Sequence, residues 1–391
     1  MKVITTERIP IKMWLDELEE GAIGQAKNLA NMPYAFSHIA IMPDSHKGFG
    51  MPIGAVLATK DVVVPNAVGV DINCGMVAVK TDLKAEHVKY DVVEDIMKRV
   101  ERDIPVGFAQ RHASMSVQTD DLLWSLRGEL PEDGVVYKEY EKAGYQLGTL
   151  GGGNHFIEMD KGSDGYIWLM LHSGSRGIGN KVGTYYNKAA IKENEEHYVT
   201  DTVRADLAFL RADSQLGKDY LAEMKFCMEY ANISRDIMMN TFISDLQEVI
   251  TEAGVMDTIK IQHNFVDLEK HFGKNVWVHR KGAVPAYIGQ RGIIAGSQGT
   301  ASYIVAGKGN LQSFKTCSHG AGRRMSRTQA VKTLNLKEEQ DRLVGIYNNM
   351  KTQKSLDEAP SSYKDIETVM NNQKDLVDVL VKLTPLGVVK G

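Results

Sequence analysis

The spacing of hydrophobic positions changes from block to block along the chain, and each change marks a change of element. From Ile11 to Asn31 the spacing predicts an early helix. Short apolar, β-branched runs punctuated by Gly and Pro follow, in SHIAIMPDSHKGFGMPIGAVLATKDVVVP, and these predict strands. Val88, Val92, Ile96 and Val100 recur at helical spacing within Lys84 to Asp103, a second short helix is expected over Thr119 to Leu130, and a sheet-rich block comes next. Residues 180–251 switch to long amphipathic, charge-rich helices and read as a helical insertion or subdomain. Strands return from Thr258 to Gly307, and helices are expected over Leu336 to Met350 and Ile366 to Leu383, before the closing LTPLGVVKG. Helices and strands thus come in blocks rather than in strict alternation, which argues for an α+β fold over a doubly wound parallel sheet. No repeat and no Pro/Ser-rich linker interrupts the chain, so residues 1–391 read as a single domain.

Charge narrows the function. With 46 Lys+Arg against 50 Asp+Glu, the net charge of −4 excludes a strongly basic protein that coats nucleic-acid backbones, and any RNA-binding face must be a local basic patch. No stretch has the roughly 18 uncharged apolar residues of a spanning helix, and MKVITTERIPIK carries charges where a signal peptide is apolar, so the expected location is the cytoplasm. The three cysteines, Cys74, Cys227 and Cys317, are odd in number and far apart, which argues against a disulfide framework. The 36 glycines, about 9% of the chain against a usual ~7%, gather in a few short runs. Those runs are where chemistry is expected.

Metal-ligand chemistry is most concentrated in HFIEMDKGSDGYIWLMLH, His155 to His172. A hairpin folded about the Ser163–Asp164 bond would set the two histidines directly opposite, with Cβ atoms about 4.5–5.5 Å apart, close enough to share a metal or serve adjacent ones. In GVDINCGM, Asp71 and Cys74 stand three apart in a glycine-flanked loop, offering a carboxylate and a thiolate able to bridge, and His263 follows an apolar strand. Taken singly, each of these reads as an ordinary core or surface residue. Their common placement at strand ends and Gly-flanked loops is what favours a metal centre. His38, His87, His112, His197, His271 and His279 lack such contexts and read as structural or surface residues.

Three glycine-rich runs, TLGGGN, HSGSRGIG and AGSQGT, are candidate backbone nests for phosphate, with Arg176 able to add a bidentate contact. Cys317-Ser318-His319-Gly320-Ala321-Gly322-Arg323 is more specific. It presents His319 as an exposed nucleophile with Arg323 nearby to stabilise phosphoryl oxygens.

PDSHKGFGMPIG, VGVDINCGM, LGTLGGGNHFIE, HSGSRGIG, HNF, RKGAV, GSQGTASYIV, CSHGAGR and the terminal VVKG, in that order over essentially the whole chain, together resemble the RtcB family of RNA ligases. The resemblance implies an RtcB-like α+β fold and a GTP- and Mn2+-dependent enzyme that joins an RNA 3′-phosphate or 2′,3′-cyclic phosphate end to a 5′-hydroxyl end. It implies two metal ions bridged by Cys74, one also held by His172 and His263 and the other by Asp71 and His155, with His319 as the residue that becomes guanylylated. It further implies nucleotide contacts from Asn154, Glu158, Ser297, Tyr363 and Lys390, leaves Asp44, His46, Arg176 and Arg323 as substrate or phosphate contacts, and leaves room for an archease-type activator. Glu158 would leave the His155 face of a regular strand, so a bulge or strand end is expected between them. The chain departs from the family pattern at Ala295 and Gln298, where a looser turn beside the nucleotide is expected, and at Ser45, which adds a hydroxyl beside Asp44 and His46.

The same ligands would serve a binuclear phosphoesterase or nuclease without nucleotide transfer, or a non-catalytic RNA-end binder. A stoichiometric need for GTP separates the ligase from both. Cys and His ligands alone favour zinc on softness, so manganese rests on the resemblance.

Overall fold

The computed structural model describes residues 1–197 and 199–391. Two large sheets lie face to face. The first orders strands Lys2–Ile4, Ile11–Met13, Ala35–Phe49, Met51–Thr59, Lys274–Lys281 and Asn264–His271. The second orders Val255–Gln262, Gly75–Lys84, Tyr166–Ser173, Phe156–Gly162, Val377–Lys390, Ser302–Gly307 and Arg291–Ile294, with Tyr347–Asn348 alongside the Val377–Lys390 strand. In both sheets pairing is antiparallel except at Ile11–Met13 with Ala35–Phe49 and at Tyr347–Asn348 with Val377–Lys390. The chain is therefore a mixed helix-and-sheet protein.

The GMVAV run shows why the second sheet sits in the middle. Met76 and Ala78 pack with Ala40, Met42, Val56 and Ala58 of the first sheet, whereas Val77 and Val79 face Ile96, Met97, Met238 and Phe242 of two helices. Alternate residues point to opposite faces, so a strand covered on both sides has to be apolar throughout. Those helices are Tyr90–Asp103 and Gln215–Val249. Across residues 180–251 the structure has Arg176–Glu196, Thr200–Arg204 and Gln215–Val249, and the last of these fastens to the sheet by donating from Arg235 to the carbonyls of Asn73 and Ser173, each at 2.7 Å.

Four element expectations are corrected. Ile11–Met13 is a strand and the helix begins at Glu20, because Ile11 and Met13 bury alternately against the first sheet. The expected Thr119–Leu130 helix is regular only over Asp120–Ser125. The Leu336–Met350 helix stops at Asp341, and Gly345 then turns the chain with φ +85° toward Tyr347–Asn348. The Ile366–Leu383 helix ends at Asn371, and Val377, Val379 and Val381 belong to a 14-residue strand. There the β-branched alternation VDVLV outweighs helical spacing.

The expected hairpin register is off by one. Phe156, not His155, lies opposite His172. Gly165 takes φ +81° and donates to the Gly162 carbonyl at 2.9 Å, so the loop holds three residues rather than an even number. His155 precedes the strand altogether, which is the strand end expected between it and Glu158.

One buried charge pair outside the cavity organises the first sheet. Arg280 is fully buried and donates to both Glu269 oxygens, to Thr316 Oγ1 at 2.9 Å and to the Phe314 carbonyl at 3.2 Å. Burial pushes Glu269 up, but His271, Arg280 and Tyr287 outweigh it and bring the carboxyl down to about 2. Its ionised form therefore stabilises the fold fully above the unfolded value near 4.5, and the contribution is lost as pH falls toward 2. Glu269→Ala leaves Arg280 without a carboxylate and is expected to cost about 3–5 kcal/mol in urea unfolding at neutral pH. The difference from wild type should shrink on acidification, and a variant of wild-type stability would contradict the assignment.

Candidate active site

At one end of the sandwich, strand ends from both sheets open onto a cavity of about 450 Å³. His263 is the single residue between Val255–Gln262 of the second sheet and Asn264–His271 of the first, so it stands where the chain crosses over. Cys74 ends the loop before Gly75–Lys84, with its N–H on the Asp71 carbonyl at 3.2 Å, and Asn264 Nδ2 braces the same carbonyl at 3.0 Å. His172 comes from the end of Tyr166–Ser173.

These residues form two potential ligand sets that share Cys74: Asp71, Cys74 and His155, and Cys74, His172 and His263. Cys74 Sγ is 3.4 Å from His155 Nε2 and 3.1 Å from His172 Nε2, His155 Nε2 is 3.0 Å from Asp71 Oδ2, and His172 Nε2 is 3.2 Å from His263 Nε2. The Nδ1 atoms of His155 and His172 face the carbonyls of Leu150 at 2.9 Å and Asn154 at 3.1 Å. A carbonyl only accepts, so each Nδ1 carries the proton and each Nε2 turns a lone pair toward the thiol. Burial, followed by neighbouring cationic groups, holds His172 and His263 well below the usual imidazole range, while burial and the Asp71 carboxylate push the Cys74 thiol up. Lone pairs packed this closely repel unless a cation lies among them, so the donor set fits a metal. The Cys/His/Asp cluster suggests metal binding on this chemistry.

Beside the cluster, the His319 ring is 4.8 Å from that of His263, centroid to centroid. It is not the exposed residue expected from its loop, since only 13% of the side chain is accessible and it faces the cavity wall. Asp44 holds it. The fully buried Oδ2 accepts from His319 Nδ1 at 2.6 Å and from the His319 and Gly320 N–H groups at 3.1 and 3.3 Å. Asp44 reaches inward because strand pairing breaks between Ile41 and His46, a bulge that re-aims the chain. Burial pushes its carboxyl up, but the adjoining His319 outweighs this and leaves it below the usual range. Burial lowers the neighbouring His46 to about 4, and His46 also lines the cavity. Ser45, the departing residue beside them, donates to the Gly54 carbonyl at 2.6 Å and is buried within the hairpin.

Four further lining residues, Arg323, Arg327, Tyr363 and Lys390, converge on a residue behind them that the sequence did not single out. Glu358, 3% exposed, accepts from Arg323 at 3.1 Å, from Arg327 at 2.9 Å and from the Tyr363 hydroxyl, and Lys390 Nζ lies 3.6 Å away. No motif spacing marks it, because its cationic partners arrive from distant segments. Gln298 closes onto the Glu358 carbonyl at 2.8 Å, so the departing loop is tied down here rather than loosened. Ser297 is held by Thr300, and the 295–300 loop is fastened to His319 through Ala295 N–H on the His319 carbonyl at 3.2 Å. Glu158 enters the cavity from the same strand face as Phe156, and burial together with Asp160 raises its carboxyl well above the usual range. Asn154 lines the cavity. Arg176 does not: its guanidinium is engaged by Thr149 Oγ1 at 3.1 Å and the Gly107 carbonyl at 3.0 Å.

The end of the chain is docked. Lys390 pairs with Phe156 in the sheet, its backbone exchanges hydrogen bonds with Asn349 at 3.0 and 2.8 Å, and Gly391 N–H donates to the His155 carbonyl at 3.2 Å.

Fold and site together define a class: a two-sheet protein with overlapping thiolate, imidazole and carboxylate ligands beside a carboxylate-held imidazole. The chain belongs to the RtcB family, since the family model described as tRNA-splicing ligase RtcB matches residues 25–391. It is 42% identical to the RNA-splicing ligase RtcB of Escherichia coli K12, over 100% of this chain and 99% of that protein. It is also 31% identical to the tRNA-splicing ligase RtcB of Archaeoglobus fulgidus, covering 96% and 92%, and 29% identical to that of Thermococcus kodakarensis, covering 98% and 95%.

Proposed function

We propose that the chain is an RNA ligase that uses GTP and Mn2+ to join an RNA 3′-phosphate or 2′,3′-cyclic phosphate end to a 5′-hydroxyl end through a guanylylated His319. The observation that carries this reading is the single cavity in which His319, held by Asp44, stands against the ligand set of Cys74, His172 and His263. The family and the names of its RNA-sealing relatives support RNA as substrate.

Cys74, His172 and His263 would hold one ion and Asp71, Cys74 and His155 the other, and the ions would neutralise phosphoryl charge. The chain supplies the rest. With its Nδ1 proton on Asp44, His319 has a lone pair on Nε2, which bonds to the α-phosphorus of GTP as the bond to pyrophosphate breaks. The GMP then moves to the RNA 3′-phosphate, freeing His319, and the 5′-hydroxyl oxygen attacks that phosphorus with GMP as leaving group. A cyclic end is first opened by water. Asn154, Glu158, Ser297, Tyr363 and Lys390 are the proposed nucleotide contacts, with His46 and Arg323, which line the same cavity, as proposed phosphate contacts. Among the described residues no helix is long and apolar enough to cross a membrane. A cytoplasmic location and an archease-type activator belong to the same proposal.

Sealing of a 3′-phosphate strand to a 5′-hydroxyl strand, with one GTP consumed per junction, is the test. Processing of RNA ends without GTP would favour the phosphoesterase reading instead.

Lys390 gives a sharper check. Its ammonium lies 3.3 Å from the Asn154 carbonyl and beside Glu358, placed to meet an incoming phosphate. Lys390→Met keeps the backbone pairing and is expected to lower guanylylation about a hundredfold with metal content unchanged. Wild-type guanylylation would make this lysine structural only.

A further inference from the structure

Among the described residues, Phe108 is the most exposed large hydrophobic, with its whole side chain in solvent. Its backbone is nevertheless held at fixed points. Ala109 N–H donates to the Val106 carbonyl at 3.1 Å, Gly107 N–H donates to the Gly151 carbonyl at 2.7 Å, and the Gly107 carbonyl accepts from Arg176 at 3.0 Å. Gly107 makes this turn with φ +63°. The ring therefore stands out from an anchored turn rather than a loose one.

The anchor is the loop that leads into His155, one of the candidate metal ligands. Gly151 follows Leu150, whose carbonyl orients His155, and Gly152 lines the cavity, where a Cβ would come 3.8 Å from Gly107 Cα. The same rim carries cationic groups: the Arg327 guanidinium lies against Gly153, and Lys390 Nζ meets the Asn154 carbonyl. The exposed residues next in the chain, Ala109, Gln110, His112, Ala113 and Ser114, are small or polar and add little apolar surface to the ring. An exposed aromatic face next in the chain to Gly107, which packs on the cavity-lining Gly152, suits a nucleobase: the ring can stack, and Arg327 and Lys390 of the cavity lining can meet the phosphates of the same strand.

We propose that Phe108 is a stacking platform for a single-stranded nucleobase next to the junction in one of the two RNA strands, a positioning role that rests on the ligase reading. Because every base has a π-face, the platform selects unpaired ends without selecting sequence. Stacked there, the base orients the strand so that its terminal group points into the cavity.

The test measures binding of labelled 5′-hydroxyl and 3′-phosphate RNA strands to the full-length protein by fluorescence anisotropy, with intact or abasic junction nucleotides. Phe108→Ala should weaken binding of one strand about tenfold, and Phe108→Tyr should restore it. An abasic junction nucleotide in that strand should weaken wild-type binding by a similar factor and leave binding to Phe108→Ala unchanged. Which strand responds assigns the platform to the 5′-hydroxyl or the 3′-phosphate side. Equal affinities for wild type and Phe108→Ala, or an abasic penalty of the same size in both, would overturn the proposal. Self-guanylylation needs no RNA and is measured in parallel: its absence from the wild-type protein would count against the ligase reading, while the anisotropy result still decides the role of Phe108.

Discussion

Replacing Cys74 with alanine is expected to remove bound metal from both positions at once, because its sulfur is the atom the two ligand sets share. His155→Ala or His263→Ala removes a donor from one set and should chiefly weaken one position. The distinction follows from geometry: Sγ lies 3.4 Å from His155 Nε2 and 3.1 Å from His172 Nε2, and it stands between imidazoles that do not otherwise share a partner. Alanine at this buried site leaves a small void and no orphaned charge, so the variant should fold. Metal content after equilibration with Mn2+ and desalting provides the measurement. Two ions in wild type, one in either histidine variant and none in Cys74→Ala is the expected series. A Cys74→Ala protein retaining two ions would remove the shared-ligand account.

The second large effect is expected at Asp44. Its Oδ2 receives the His319 Nδ1 proton and two backbone N–H groups, and the carboxylate is fully buried. Asp44→Asn keeps the shape but removes the negative charge that holds the imidazole with its proton on Nδ1 and stabilises the ring as Nε2 bonds to phosphorus. An equivalent change behind a catalytic imidazole elsewhere costs on the order of 10⁴ in rate. A loss approaching that size is expected in guanylylation, with Mn2+ content unchanged, since Asp44 belongs to neither ligand set. If Asp44→Asn guanylylates within about tenfold of wild type, His319 does not need this carboxylate and its role has been misread.

The sequence carried the ligand residues further than it carried their geometry. Asp71, Cys74, His155, His172 and His263 do meet, and Lys390 is docked by the β-branched run before it. The opposition of His155 and His172 failed because one left-handed glycine lengthened the hairpin loop by a residue, and no periodicity reports loop parity. The two rings still converge, 5.5 Å apart between centroids, because His155 precedes the strand and is aimed by the Leu150 carbonyl. The helix expected over Ile366 to Leu383 mixed two periods, and its strand half pairs with Ser302–Gly307, a long-range arrangement invisible to local spacing. Glu358 was missed for the same reason. Arg323 and Lys390, two of its partners, are 35 and 32 residues distant in the chain. Arg176 was legible as a cation near glycines, but Thr149 and Gly107 hold its guanidinium outside the cavity lining.

The central claim is that His319 Nε2 is the atom that takes GMP. Incubating the Mn2+-loaded protein with GTP labelled at the α-phosphate, followed by peptide mapping, tests it most directly. The account predicts one labelled peptide containing His319, a linkage that is labile in acid and stable in alkali as a phosphoramidate should be, and no label on His319→Ala. Label persisting on His319→Ala, or mapping to another residue, would contradict it.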